Sequence, residues 1–291
     1  MTRNRFELLL RILHFNDNEQ ANPGDRLHKI QPLVDKLVTN FQDLYVPEEY
    51  VCVDEILLSF RGRLSFRQYI KAKRHKYGVK HFKICSGLGY TYNIIYAGRE
   101  QGGITPEKIV DFLTSTNILE EGRTLVIDNW YISVPLATKI LNSNTNVVGT
   151  IRKDRRGISK EVVNKKLKKG EVFAMENQDG LTVVNWKDSR NVMMLSTKHG
   201  AQMVQVSCKN GTFKEKLEVV DYNRGKASVD LSDRMGAYSN PLRRSLKWYR
   251  KVGFELILTT AMVNAFILYK LNSGEKKQIT DLKKRCNKGS N

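Results

Sequence analysis

Apolar positions recur at helical spacing at the start of the chain. Phe6, Leu9, Leu10 and Leu13 share one face, and after the polar stretch NDNEQANPGD the positions Leu27, Ile30, Val34, Leu37, Val38 and Phe41 repeat the pattern. Both stripes need a partner surface to be buried. From Tyr50 the period shortens. YVCVDEILLSF opens with alternation and predicts a strand; GVKHFKICSG and YTYNIIYAG predict two more, separated by Gly87 and Gly89. TPEKIVDFLT predicts a helix with Thr105 as cap and Pro106 in its first turn. TLVID reads as a short buried strand, SVPLATKILN as a second helix capped by Ser133, and NVVGTI as a fifth strand. Three strands followed by helix, strand, helix, strand predict an α/β fold built on a mixed sheet with helices packed against it.

Residues 153–219 change character. RKDRRGISKEVVNKKLKKG is basic and predicts loops with a short helix, while LTVVNWKD, RNVMMLST and QMVQVSC predict three short strands bounded by turn residues. The segment reads as a small β-containing insertion. Beyond it, VVDYNRGKASVDLSDRMGAYS predicts a glycine-containing loop leading into a helix, and a long helix follows over residues 245–271. The most apolar part, residues 254–269, is interrupted by Thr259, Thr260 and Asn264. It is short for a membrane span and predicts a buried helix. The polar tail GEKKQITDLKKRCNKGSN reads as mobile.

Composition narrows the function. With 41% hydrophobic and 27% charged residues, the chain of 291 residues is neither disordered nor fibrous. Its 49 Lys and Arg against 30 Asp and Glu leave a net charge of +19, which calls for a polyanionic partner, nucleic acid or an acidic surface. Cys52, Cys85, Cys208 and Cys286 form no CxxC pair, which argues against a zinc ribbon and for thiols in a reducing compartment. The N-terminus lacks the cleavage site of a signal peptide. The expectation is a soluble intracellular protein with no membrane partner.

Three acidic contexts stand out. Asp54 lies inside the first strand among Val51, Val53, Ile56 and Leu57, where a charge is costly unless paired or bound to metal. Asp128 ends the strand TLVID, at the carboxyl edge where open α/β sheets hold ligands. Asp230 and Asp233 lie three apart and share one helix face. Each has an ordinary reading as a turn residue, a cap or a dipole partner. Taken as a set, they can converge on divalent metal, two ions about 3.5–4 Å apart clamping the attacking and leaving oxygens of a phosphodiester. Mg²⁺ is the ion that carboxylate oxygens suit, with Mn²⁺ as a substitute.

Between Glu55 and Glu100 the chain carries no acid. Arg61, Arg63, Arg67, Lys71, Lys73, Arg74, Lys76, Lys80 and Lys83 fill that window, with Tyr69 and Tyr77 between them. Placed directly after Asp54, the run predicts contact with DNA phosphates. The alternatives are a solvated loop or a nuclear import signal in KAKRHK. A second basic set is RKDRRG with KKLKK. A third, from Arg243 to Lys251, offers Arg243, Arg244, Lys247 and Trp248 to DNA, although packing of the helix is the more usual role for aromatics at the spacing of Trp248 and Tyr249. Trp130 either faces the scissile strand or buries against the following helix. His75 and His81 have no partner at ligand spacing and read as ordinary surface or core residues.

The blocks VDEILLSFRGRLSFRQYIKAKRHKYGVK, VIDNWYISVPLA and NRGKASVDLSDRM, in that order, resemble the piggyBac-type transposases and their transposase-derived relatives. The resemblance implies a ribonuclease H-like core of DDE/D type, interrupted by an insertion, with a split helical domain drawn from both chain ends. The implied division is 1–49 (helical dimerisation and DNA-binding region), 50–155 (core), 156–217 (insertion), 218–240 (return to the core with the third Asp) and 241–291 (C-terminal helical DNA-binding region and tail). It implies cut-and-paste transposition at TTAA targets in the nucleus, by a homodimer acting on double-stranded DNA ends with two Mg²⁺ ions. Carried over, the catalytic and metal-binding acids fall on Asp54, Asp128 and Asp230, with Asp233 a further metal ligand one turn on. Ala227 and Ser228 stand where the family more often has glycines, which predicts a stiffer loop. No cysteine-rich domain closes the chain and it opens inside the helical region, so the expectations include a truncated copy, a domesticated non-catalytic DNA-binding protein, or an inert fragment.

Overall fold

The computed structural model describes residues 1–19, 24–73, 75–98, 104–200, 203–208, 211–238 and 247–288. Arg74, Arg243 and Arg244 lie outside the described residues. In chain order the elements begin with α1 (Arg3–Ile12), α2 (Gln31–Asp43), β1 (Tyr50–Ser59), β2 (Gln68–Tyr69), β3 (Tyr77–Ser86) and β4 (Tyr90–Tyr96). Next come α3 (Pro106–Thr114), β5 (Thr124–Ile127), α4 (Val134–Asn142), β6 (Asn146–Thr150) and α5 (Lys160–Asn164). Then follow β7 (Val172–Glu176), β8 (Thr182–Lys187), β9 (Asn191–Ser196), β10 (Met203–Cys208) and β11 (Gly211–Lys216). The chain closes with α6 (Leu217–Gly225), α7 (Ala227–Ala237), α8 (Trp248–Glu255), a π-turn (Leu256–Thr260), α9 (Ala261–Ser273) and α10 (Ile279–Lys288).

The expected caps form. The Thr105 side chain accepts from the Lys108 N–H and Ser133 from the Leu136 N–H, each ahead of a proline in the first turn. One mixed sheet orders its strands β2-β3-β1-β5-β6-β9-β8-β7, with β4 on the far side of β3. β1, β5 and β6 run parallel; the other pairings are antiparallel. β7, β8 and β9 belong to the segment expected as an insertion, yet β9 pairs with β6 through Val148–Ser196 and continues the central sheet. β10 and β11 form a separate hairpin.

Strand alternation sorts β1 into two layers. Val51 and Val53 join Phe82, Ile84, Leu125 and Ile127 under α3 and α4. Cys52 joins Cys85, Val126 and Val229 under α6 and α7. A third cluster brings the two chain ends together: Leu27, Ile30, Val34 and Phe41 from the N-terminal region meet Val252, Leu256, Val263, Phe266 and Ile267. Arg250 donates to the Leu13 carbonyl at 3.2 Å, and Phe15 sets its ring edge-on to Tyr249. Residues Trp248–Ser273 are long and apolar enough to cross a bilayer, but 56% of their most apolar stretch is buried within the protein. Asn264 holds this helix to β4, pairing with both the N–H and the carbonyl of Thr91 at 2.8 Å.

Candidate active site

Asp54 and Asp128 are brought together by strand register. β1 and β5 are parallel neighbours through Val53–Ile127, so the next residue on each side is an aspartate. Both share the side-chain parity of Cys52 and Val126, which face α7. Asp230 lies in the first turn of α7, the helix packed across β1 and β3. Its charge, with that of Glu55, acts on Asp54, but loss of water is the larger cause that lifts the Asp54 carboxyl from 3.8 to about 6. Asp128 is exposed; its Oδ1 accepts from the Asn129 N–H at 2.5 Å and from Thr150 Oγ1 at 3.0 Å. Tyr222 of α6 packs against the Cys52 and Val126 cluster beside these acids. Burial, and then the Asp128 charge, raise its phenol to about 12.

The segment expected as a glycine loop before Asp230 is helix. α6 runs to Gly225 and α7 starts at Ala227, so Ala227 and Ser228 lie in a helical first turn rather than stiffening a loop. Gly225 permits the close approach: a β-carbon there would meet Val126 Cγ2 at 2.4 Å. Gly89, at φ +99°, likewise lets the β3–β4 turn meet α7, where a β-carbon would lie 2.8 Å from the Ser232 nitrogen.

The carboxylate oxygens of Asp54 and Asp128 are donors that suit a hard divalent cation. Among the described residues, no three acidic, histidine or cysteine side chains gather closely enough to hold a metal ion. The fit is therefore that of an adjacent pair with Asp230 within electrostatic reach, and the expected set of four is not gathered. Asp233 lines a different cavity with Lys83 and Glu255. It is exposed as a residue, but its carboxyl is pushed up to about 6 by loss of water on that side.

The comparisons with known proteins agree on one family. The family description "Transposase IS4" matches residues 1–266. The chain belongs to the IS4-type transposase family, in its piggyBac-type branch. Human piggyBac transposable element-derived protein 3 is 27% identical over 282 residues, covering 90% of this chain and 48% of that protein. Human piggyBac transposable element-derived protein 2 is 24% identical over 291 residues, covering 92% and 48%. A piggyBac transposase in a cryo-EM synaptic complex with hairpin DNA superposes with a TM-score of 0.85 at 28% identity, over 96% of this chain and 61% of that one. The mixed α/β architecture matches that fold. The chain spans about half the length of the human relatives it matches.

On this transposase fold the basic residues divide. Arg61, Arg63, Lys71 and Lys76 are exposed. Arg61, Lys76, His75 and Arg67 line a cavity of about 520 Å³ with Ser59 and Tyr77. Arg67 also shapes its own loop, donating to the carbonyls of Arg61 and Gly62 at 2.9 and 3.1 Å and lying over the Tyr77 ring. Lys73 reaches back to Glu55, 3.4 Å from its carbonyl and 3.9 Å from its carboxylate. Lys83 departs from the basic run altogether, being buried. Lys247 is exposed, whereas Trp248 packs edge-on against Phe66 at 5.1 Å, which puts a packing role on a residue expected to bind DNA. Trp130 stacks on Phe82 within the apolar layer, with Lys80 over both rings at 4.7 and 4.8 Å. Arg155, from the basic RKDRRG set, donates to the Asn129 and Trp130 carbonyls at 2.9 and 2.8 Å and fixes the turn after Asp128.

Two polar networks escape sequence reasoning. Asp221 of α6 accepts from Tyr50 at 2.7 Å and pairs with His199 at 2.8 Å; Lys198 adds bonds to Glu49 at 2.6 Å and Tyr50 at 3.0 Å. Together they tie α6 to the start of β1 and the end of β9. Nothing local in the sequence marks these residues. The second network joins Lys83, Glu255 and Thr260. Its signal is Glu255, a lone charge in the apolar run VGFELIL. His81 beside it is held near pKa 4 by burial, so it stays neutral next to Lys83.

Proposed function

We propose that the chain carries the catalytic core of a piggyBac-type DNA transposase, which cleaves transposon ends and joins them to TTAA targets in the nucleus. The observation that carries this reading is the adjacency of Asp54 and Asp128 on parallel strands, on the face that α7 covers with Asp230. The relative solved in a synaptic complex with hairpin DNA supports a double-stranded DNA partner, and the need to hold two ends supports a homodimer.

Asp54 and Asp128 would hold the divalent cation, Mg²⁺ or Mn²⁺, with Asp230 completing a two-ion set. When bound, the metal supplies activation of an attacking hydroxyl and stabilisation of a departing oxygen. The chain's own groups prepare that chemistry. Thr150 and the Asn129 N–H fix the Asp128 carboxylate, and Arg155 fixes the turn behind it. Asp54, desolvated and close to other acids, holds a proton up to about pH 6 that a neighbouring cation would displace. The cavity lined by Arg61, Arg67 and Lys76 sits at the far end of β1 and draws phosphates toward the acids. A water or a 3′-hydroxyl oxygen then attacks phosphorus as the bond to the departing 3′-oxygen breaks.

The test is Mg²⁺- or Mn²⁺-dependent nicking of supercoiled plasmid and of a TTAA-containing duplex. Asp54→Ala, Asp128→Ala and Asp230→Ala should each abolish nicking and leave DNA affinity equal or higher. Full activity in any one of them defeats the assignment. A second reading, DNA binding without cleavage, is favoured by the absence among the described residues of three ligating side chains in one place. Tight, salt-sensitive DNA binding with no nicking in either metal would establish it.

A further inference from the structure

We infer that Lys83, Glu255 and Thr260 form a buried brace that sets the position of α7, and with it Asp230, relative to Asp54. Lys83 is the cross-strand partner of Asp54 in the β1–β3 register, so both side chains leave the same face of the sheet. Its ammonium turns to the C-terminal helix, 3.6 Å from Glu255 Oε1 and 3.1 Å from Thr260 Oγ1. The Thr260 hydroxyl donates to Glu255 Oε1 at 2.7 Å. The two charged side chains are 3% and 8% exposed. Ions this deep persist only when paired and hydrogen-bonded.

The π-turn explains how the brace is assembled. Glu255 and Thr260 lie five residues apart, a spacing that ordinary α-helical geometry does not bring together and the wider π-turn Leu256–Thr260 does. The helix α7 meets β4 at one point, the π-turn at a second and the cavity of the brace at a third. Ser232 Oγ lies 3.2 Å from Thr91 Oγ1 on β4. Gly236 is close enough that a β-carbon would meet Thr259 Cγ2 at 2.6 Å. Asp233 lines the same cavity of about 530 Å³ as Lys83 and Glu255, and their charges act on one another. Asp230 stands one turn before Asp233, so a helix held at Ser232 and Gly236, with Asp233 facing the charges of the brace, holds Asp230 as well. Glu255 and Lys83 are thus positioning residues.

The effect on cleavage rests on the transposase reading above; the bracing of α7 does not. The experiment compares wild type, Glu255→Gln and the double variant Lys83→Met/Glu255→Met, the last removing both charges so that neither is left buried alone. Amide exchange is followed over residues 227–237 and over β1 and β5, alongside steady-state nicking with Mn²⁺. We expect exchange in α7 to quicken by about tenfold or more in both variants while β1 and β5 keep their protection. We expect kcat to fall about tenfold with KM for DNA within about twofold. Unchanged exchange in α7, or a uniform rise across all three elements, overturns the brace. A loosened α7 with wild-type kcat overturns the positioning of Asp230. Should wild type itself fail to nick DNA, the transposase reading falls, and the exchange data alone decide the brace.

Discussion

Asp54 and Glu55 are neighbours on β1, yet their side chains enter opposite layers. Glu55 shares the parity of Val51 and Val53 and finds partners there: the Tyr131 hydroxyl donates to it at 3.5 Å and the Lys73 ammonium lies 3.9 Å away. Asp54 shares the parity of Cys52 and loses water against that layer; this desolvation, with the Glu55 charge and then the Asp230 charge, leaves its carboxyl raised to about 6. The apolar layer beneath α3 and α4 is a scaffold in which charges are satisfied at the rim. The layer beneath α6 and α7 is a small apolar cluster, Cys52, Cys85, Val126 and Val229, with Asp54, Asp128 and Asp230 at its edge, and it carries the candidate chemistry. A protein that desolvates an acid at the edge of one layer needs a well-packed opposite layer to hold it in register.

The largest effect should come from the α7 layer and be confined to activity. Asp54→Ala or Asp128→Ala should lower metal-dependent nicking by about 10³-fold or more, because the charge clamp on the reacting phosphate is lost. Circular dichroism and thermal unfolding should stay within a few degrees of wild type. A folded, fully active variant would remove the functional distinction between the layers. The converse change is Leu125→Ala in the scaffold layer, where the side chain is fully buried. It should cost about 3 kcal/mol in urea unfolding, and a cost below about 1 would show that β5 is not anchored there.

A smaller effect should separate exposed cations from those tied to the fold. Arg61→Glu with Arg63→Glu should lower the slope of log affinity against log salt by about 2, since each lost phosphate contact contributes about 0.9. Lys83→Met should leave that slope unchanged, because Lys83 is buried against Glu255. Equal slopes in all variants would reject the basic run as a DNA surface.

Local pattern made much of this legible. The alternation in VCVD, the apolar run TLVI and the Thr105–Pro106 and Ser133–Pro135 starts are short-range signals, and the elements they predict form. Asp54 and Asp128 could be singled out because a charge inside or ending an apolar strand is anomalous wherever the strand goes. What escaped depends on pairings distant in sequence. β9 joins β6 across about forty residues, which no local period announces; of the three strands read within the insertion, LTVVNWKD and RNVMMLST continue the central sheet and QMVQVSC pairs in a separate hairpin. NRGKAS reads as a loop from its Gly and Asn, but packing of Gly225 on Val126 makes it the junction of two helices. Lys83 looked like one more cation in a basic run; its burial is decided by Glu255, 172 positions away in the chain.

The smallest effect tests the desolvation of Asp54 itself. A carboxyl raised from 3.8 to about 6 is favoured by folding in its neutral form. Its contribution to stability is therefore intact below about pH 4 and lost as pH rises through about 6. At pH 7 the loss amounts to at most about 3 kcal/mol. Water reaching the half-buried carboxyl should cut this to about 1 kcal/mol. Asp54→Asn keeps the shape and removes the titration, so in EDTA it should be more stable than wild type by about 1 kcal/mol at pH 7, with the gap closing to a few tenths near pH 4. The same substitution should abolish nicking. A gap that is equal at both pH values, or reversed at pH 7, would mean that Asp54 is as comfortable in its layer as Glu55 is in the other.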